Sequence, residues 1–409
     1  MSAPRAVAAP TPDQGLGTRT VLLLAIACGV AVGNLYFPQA LSPLIATGFD
    51  VAPGTAALVV TAAQFGYATG IYLLVPLGDR IPHRPLIVTL LCLTAAGLLA
   101  ASAAPALPPL LAAGVLIGVT TVIAPIAGPM AAGMVSEDRR GAVTGTLLSG
   151  SIGGMLLSRA LGGSAAGWLG WRAPYLGAAA AALIMAVVLA RALPRTTPPS
   201  RERYRELLAA PLRLLRTEPE LRRSSFYQTA VFGSFCALWT GVALLLTSRT
   251  YGLGAAAVGV LALVNAGTML CTPATGRLVD RYGPDRVNLV CMLTVLAAAG
   301  VLSLGTLGGP AGLTALAVGS LLLDVAMQSG MIANQVRIFA LRPEARSRCN
   351  TAYMVCAFLG GAAGSWCGVQ AYGAFGWPGV CALIATLGGL ALARHLVFTG
   401  RRRPAAVGS

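Results

Sequence analysis

Twelve apolar runs follow one another along this chain, each long enough to cross a bilayer and separated from the next by a short polar break. They cover approximately residues 20–45, 55–77, 85–104, 108–134, 142–167, 174–193, 225–248, 256–279, 287–307, 311–339, 350–372 and 380–397. A helix needs roughly 20 apolar residues to span the hydrocarbon core. Inside lipid the backbone must satisfy its own N–H and C=O groups, so runs of this kind fold as helices. Pro38, Pro125 and Pro273 fall within runs, where neighbouring helices can satisfy the groups they free. Hydrophobic residues are 56% of the chain and charged residues 10%, against roughly 45–50% and roughly 25% in soluble proteins. Too few charges remain to clothe a water-facing surface. The expectation is an all-α membrane protein with twelve transmembrane helices.

The charges test that count. The chain has 29 basic residues, all Arg, and 13 acidic ones, for a net charge of +16. With the amino terminus inside, 26 Arg fall on the inner side and only Arg172 and Arg249 on the outer, while Arg159 lies within the fifth run. That asymmetry is the positive-inside rule, and a wrong helix count would scramble it. It predicts a multi-pass protein with both termini cytoplasmic. Because the Arg sit between apolar runs and not on soluble elements, nucleic acid is excluded as a partner. Residues 1–18 lack the ordered parts of a signal peptide and read as a disordered cytoplasmic tail; residues 398–409 read as a basic one.

Residues 19–193 and 225–397 then form two six-helix halves, joined by an Arg-rich linker over 194–224. In it Leu207, Leu208, Leu212, Leu214 and Leu215 alternate with Arg at helical spacing. This fits either a basic amphipathic helix on an anionic inner leaflet or a solvated linker. The nine Cys include no C-x-x-C pair and read as small buried hydrophobes, and His83 and His395 form no metal constellation. No cofactor or metal is expected.

The halves repeat each other. Asp79-Arg80 follows the second run and Asp280-Arg281 the eighth, 201 residues later. Glu137-Asp138-Arg139-Arg140 and Glu344-Ala345-Arg346-Ser347-Arg348 stand 207 apart, and Gly170-Trp171 and Gly376-Trp377 stand 206 apart. Near-constant offsets argue for duplication of a six-helix unit. Parallel halves related by an axis along the membrane normal, with a site between them at mid-membrane, are one large transporter architecture.

These residues resemble the major facilitator superfamily over essentially the whole chain. Its loop motif G-x-L-A-D-R-x-G-R-K is matched by Leu77, Asp79, Arg80 and Arg84, with departures at Val75, Gly78, Pro82 and His83. The second copy keeps Gly276, Asp280, Arg281 and Gly283. A carboxylate at a helix end, paired to Arg, can latch helices in one state and release them in another. The fifth run carries Gly145, Gly154, Gly162 and Gly163, similar to the antiporter motif of drug-efflux members, with Ser158 and Arg159 replacing its Gly-Pro. The fourth run departs from proton-coupled members, with Gly114 where they carry Arg. The resemblance implies a monomer in a bacterial inner membrane. It also implies export of a small organic compound (drug, metabolite or sugar-like) in exchange for protons.

A charge at mid-bilayer is a functional hypothesis by default. Asp324 sits near the middle of the tenth run, and Gln328, Met331 and Gln335 follow at i+4, i+7 and i+11, all on one helix face. Either Asp324 takes up and releases a proton as substrate binds, or it forms a permanent ion pair with Arg159. Because helices 1 and 7 line the cavity in the family, Asn34, Gln39 and Gln228 are further candidates. Tyr36, Gln64, Tyr67, Trp239, Asn265, Asn334 and Tyr353 read as interhelical hydrogen-bonding groups. With aromatics at 6%, no aromatic cage for a cation stands out. Uptake is the alternative within the class, and a non-transporting sensor the alternative outside it. A chain without Lys cannot complete a nucleotide-binding P-loop.

Overall fold

The computed structural model describes residues 16–194, 202–342 and 345–401. Most of both tails, part of the linker and Glu344 of the second acidic-basic landmark lie outside the described residues. In chain order the helices are α1 (Thr18–Phe49), α2 (Pro53–Ala56), α3 (Leu58–Leu74), α4 (His83–Ser102), α5 (Leu107–Thr120), α6 (Ile123–Gly133), α7 (Glu137–Leu169) and α8 (Arg172–Ala192). Then come α9 (Tyr204–Thr217), α10 (Pro219–Thr247), α11 (Ala255–Val264), α12 (Thr268–Ser303), α13 (Gly309–Leu341) and α14 (Arg346–Arg401).

Among the described residues ten helices are long and apolar enough to cross a membrane. Two further crossings come from breaks and turns. The last long helix reverses at Gly376, where φ is +65°, and so crosses twice. The eighth crossing is interrupted: α11 ends in a 3-10 turn at Asn265–Gly267, α12 resumes, and the chain reverses at Gly283 with φ +78°. Both reversals use the left-handed backbone that Gly alone adopts without strain. The fourth crossing, expected unbroken, also splits, between α5 and α6. Pro125 lies in the first turn of α6, and its ring and missing N–H stop a helix from running through Thr121. Thr121 Oγ1 donates instead to Ala31 O at 2.8 Å.

Lipid tails are as apolar as Leu, so the halves are held by close packing and interhelical hydrogen bonds, not by expulsion of water. The closest packing repeats between them. A Cβ on Gly150 would lie 2.3 Å from Ala25 O, and one on Gly154 2.1 Å from Gly29 O, sealing α7 on α1. In the second half a Cβ on Gly360 would lie 2.5 Å from Thr229 O, and one on Gly364 2.1 Å from Gly233 O, sealing α14 on α10. Each seam keeps its spacing of four residues on both helices. The duplication inferred from loop landmarks thus recurs as one backbone contact made twice.

Across the halves α3 packs on α14, α7 on α11 and α1 on α10. Thr61 Oγ1 donates to Ser365 Oγ at 3.2 Å, and the rings of Tyr67 and Phe358 meet edge-on at 4.5 Å.

Part of the linker forms α9, and one edge of that helix packs on the bundle. Leu207, Pro211 and Leu214 are buried against the bundle, while Leu212 and the Arg face outward. Tyr204 Oη donates to Leu73 O at 2.6 Å and Tyr72 Oη to Leu208 O at 3.1 Å, tying α9 to α3. Leu214 joins Leu221, Ile338 and Tyr353 of the second half. The linker therefore straps both halves across the Arg-rich face.

Candidate transport site

Three of the sequence candidates meet where the halves touch. Gln39 comes from α1, Arg159 from α7 and Asp324 from α13, and all are buried, Arg159 completely and Asp324 with 2% of its surface exposed. Arg159 Nε donates to Gln39 Oε1 at 2.8 Å. Its guanidinium carbon stands 4.2 Å from the Trp239 ring centroid, 4.9 Å from Tyr36 and 5.3 Å from Phe235. Each cation–π contact contributes about 0.5–2 kcal/mol, and the charge-assisted hydrogen bond about 1.5–3 kcal/mol. These contacts work against the cost, at least a few kcal/mol, of holding an Arg inside a membrane span. An aromatic cage is present after all, and it holds the protein's own cation. Composition hid it because its walls come from two helices far apart in sequence.

Asp324 is held differently. Trp239 Nε1 donates to Oδ1 at 3.2 Å and Asn265 Nδ2 to Oδ2 at 3.0 Å. Ser320 Oγ donates to Asn265 Oδ1 at 3.3 Å, which orients the amide. The break between α11 and α12 puts Asn265 within reach, and Thr268 Oγ1 closes it on Asn265 O at 2.8 Å. No ion pair joins Asp324 to Arg159 among the described residues. Of the two readings left open, the structure shows no direct pair; Trp239 contacts both groups, its face to the cation and its N–H to the carboxylate. A desolvated carboxylate is costly unless hydrogen-bonded, and two neutral N–H groups meet that need here.

The other candidates lie outside this network. Gln228 and Gln328 are buried and Gln335 half-buried. Asn34 Nδ2 reaches Thr121 Oγ1 at 3.5 Å, a long contact. Phe235 and Ser320 are not among the sequence candidates. Each lies four residues before a residue that is, Trp239 and Asp324, and that helical spacing is the signal that finds them.

The glycines of the antiporter-like motif divide. Gly154 faces Gly29, and a Cβ on Gly162 would sit 2.9 Å from Phe37 Cβ, whereas one on Gly145 would meet nothing within 4 Å. Gly163 is buried in the same helix. The seam made by Gly150 and Gly154 recurs at Gly360 and Gly364, so it is a packing contact in both halves.

Of the loop motifs, Asp79 is half-buried in a crevice lined by Leu207, Pro211, Ser347 and Arg348, with Arg80 exposed and Arg84 half-buried. Arg348 Nη2 donates to Glu202 Oε2 at 2.5 Å. In the second copy Gly276 is half-buried and Asp280 and Arg281 are exposed, Arg281 lying 5.3 Å from the Tyr282 ring. The engaged carboxylate is Asp285, not Asp280. It pairs with Arg223 at 2.9 Å and Arg337 at 2.5 Å, while Glu220 holds Arg223 at 2.6 Å. The reversal at Gly283 is the reason, since it turns the next residues toward α10 and α13.

Twelve crossings in two repeated halves, with a sealed polar site between them, define the transporter class in which access alternates between membrane faces. The chain belongs to the major facilitator superfamily, whose family model matches residues 22–308 and 240–409. It is therefore a multi-pass membrane transporter and not an enzyme. It is 34% identical over 376 residues to the uncharacterized transporter YgaY of Escherichia coli, covering 92% of this chain and 94% of that one. It is also 34% identical over 362 residues to "Probable transporter SCO4007" of Streptomyces coelicolor, covering 88% and 83%. Among solved structures it resembles the nucleoside transporter NupG, with a TM-score of 0.74 at 12% identity over 93% of this chain and 98% of that one. A bacterial homolog of the human lysosomal transporter Spinster, inward-facing and occupied, gives 0.65 at 16% identity over 94% of each. These structural likenesses concern the fold.

Proposed function

We propose that this protein exports a small organic compound from a bacterial cell by alternating access, in exchange for protons, with Asp324 as the group that takes up and releases the proton. The observation that carries the reading is a buried carboxylate on α13 held by two neutral donors, with no ion pair to it among the described residues. Loss of its charge by protonation leaves no buried ion unpaired on α13, and a change in its bonds to Trp239 and Asn265 acts on α10 and α11, which face the other half. The glycine motif of α7 (Gly145, Gly154, Gly162 and Gly163) supports the outward direction by its likeness to efflux members.

A second reading, proton-coupled uptake, draws on a different observation. The same glycine seam occurs in the half that carries no antiporter motif, so it has less weight on direction. One experiment separates them. Wild type and Asp324→Asn are expressed in a bacterium lacking its main pumps, and accumulation of a panel of antibiotics, dyes, organic acids and sugars is scored. Export predicts lowered accumulation of some compound, lost with a protonophore and lost in the variant at equal membrane levels. Raised accumulation establishes uptake. A variant as active as wild type removes Asp324 from the coupling step.

A further inference from the structure

Around Arg159 the described residues supply more donors than acceptors. Its guanidinium is fully buried, and only Nε is met, by Gln39. Nη1 and Nη2 find no acceptor among the described residues, and neither does Gln39 Nε2 beside them. A buried donor without a partner costs about 1–3 kcal/mol, more when charged, and such a group in a native fold calls for an explanation. The rings of Tyr36, Phe235 and Trp239 attract the charge through their faces but offer no lone pairs to the in-plane N–H groups. Asp324 does not supply them either: it accepts from Trp239 and Asn265, and no ion pair joins it to Arg159 among the described residues. None of the described residues supplies the acceptor that would complete this site.

The unmet groups have a definite chemistry. Nη1 and Nη2 form the planar fork that fits a carboxylate with two parallel hydrogen bonds. Gln39 Nε2 adds a neutral donor beside it. The walls are aromatic, so the body of a ligand beyond its anionic end should be apolar and flat. We infer that Arg159 and Gln39 form the binding subsite for the carboxylate of a small organic acid whose apolar body lies against Tyr36, Phe235 and Trp239. The inference rests on the alternating-access reading, because a sealed site fills only when the halves part; it does not depend on the direction of transport.

The test is equilibrium binding to the purified full-length protein in detergent, read by radiolabelled benzoate and by the thermal unfolding midpoint. Benzamide has the same shape without charge, benzylammonium reverses the charge, and nitrate is a planar anion without a body. Benzoate is expected to bind saturably and raise the midpoint, with benzamide, benzylammonium and nitrate each at least about tenfold weaker. Arg159→Lys keeps the charge but loses the fork, and should weaken benzoate by about tenfold or more. Equal binding of benzamide overturns the anionic subsite, and equal binding of nitrate overturns the aromatic body. Unchanged affinity in Arg159→Lys overturns the assignment to Arg159, and absence of binding by all the probes overturns the whole inference. If that variant does not fold, the four ligands on wild type still decide. The assay involves no transport: benzoate binding without flux in cells sinks the proposed function alone, and flux of uncharged compounds without benzoate binding sinks this subsite alone.

Discussion

Trp239 is the residue on which the two charges of the membrane core depend. Its face lies 4.2 Å from the Arg159 guanidinium carbon and its edge donates to Asp324 at 3.2 Å. Trp239→Phe keeps a ring for the cation but removes the N–H. That leaves Asp324 Oδ1 without its donor, at a cost of about 1–3 kcal/mol. The expected outcome is a thermal midpoint lower by a few degrees, with transport reduced but still sensitive to a protonophore. Asp324→Asn should abolish the proton-driven transport itself. Asn265→Leu removes the donor to Oδ2 and the acceptor for Ser320 together, so its loss of stability should exceed that of Ser320→Ala. Asp324 and Arg159 were legible in the sequence because a charge inside an apolar run stands out. What the sequence could not give is their shared contact with one indole ring, which depends on how α7, α10 and α13 are rotated against one another.

At the scale of helices the glycine seams make the sharper prediction. A Cβ on Gly154 or Gly364 would fall 2.1 Å from a facing carbonyl oxygen, and backbone cannot move aside as a long side chain can. Gly154→Ala and Gly364→Ala should each destabilise by about 1–3 kcal/mol or more, seen as lower thermal midpoints and reduced membrane levels. Gly145→Ala, with open space around its Cβ, should match wild type. Similar losses at 154 and 364 would mark the motif as packing; a transport defect at 154 without a stability defect would mark it as functional. The crossings themselves were plain in the sequence, because lipid forces helices on apolar runs of this length. The breaks were not: the fourth follows from the place of Pro125 within a turn, and the eighth from an Asn265 whose side chain is drawn to Asp324. The Asp285 cluster was missed because its partners, Arg223 and Arg337, lie on crossings that only the fold brings together.

For the whole molecule, α9 is a strap that crosses both halves on the Arg-rich face. The paired Tyr72→Phe and Tyr204→Phe changes remove two hydrogen bonds from it, each contributing about 0.5–1.5 kcal/mol. Hydrogen–deuterium exchange should then quicken in 204–217 and at the start of α14, with the Gly29–Gly154 seam unchanged. If exchange quickens equally everywhere, the strap supports overall stability and not the closure of one face. The glycine seam between α1 and α7 also bears on how the chain is made. Gly154 emerges from the ribosome about 125 residues after Gly29, a delay of roughly 6–25 s at about 5–20 residues per second. For that interval the groove of α1 faces lipid with its partner unborn. When α7 arrives it carries Arg159 into the bilayer, and Gln39 is already waiting, but Phe235 and Trp239 are still some 80 residues from synthesis. The first half must therefore shelter a membrane-embedded cation with one amide and the Tyr36 ring until α10 is born.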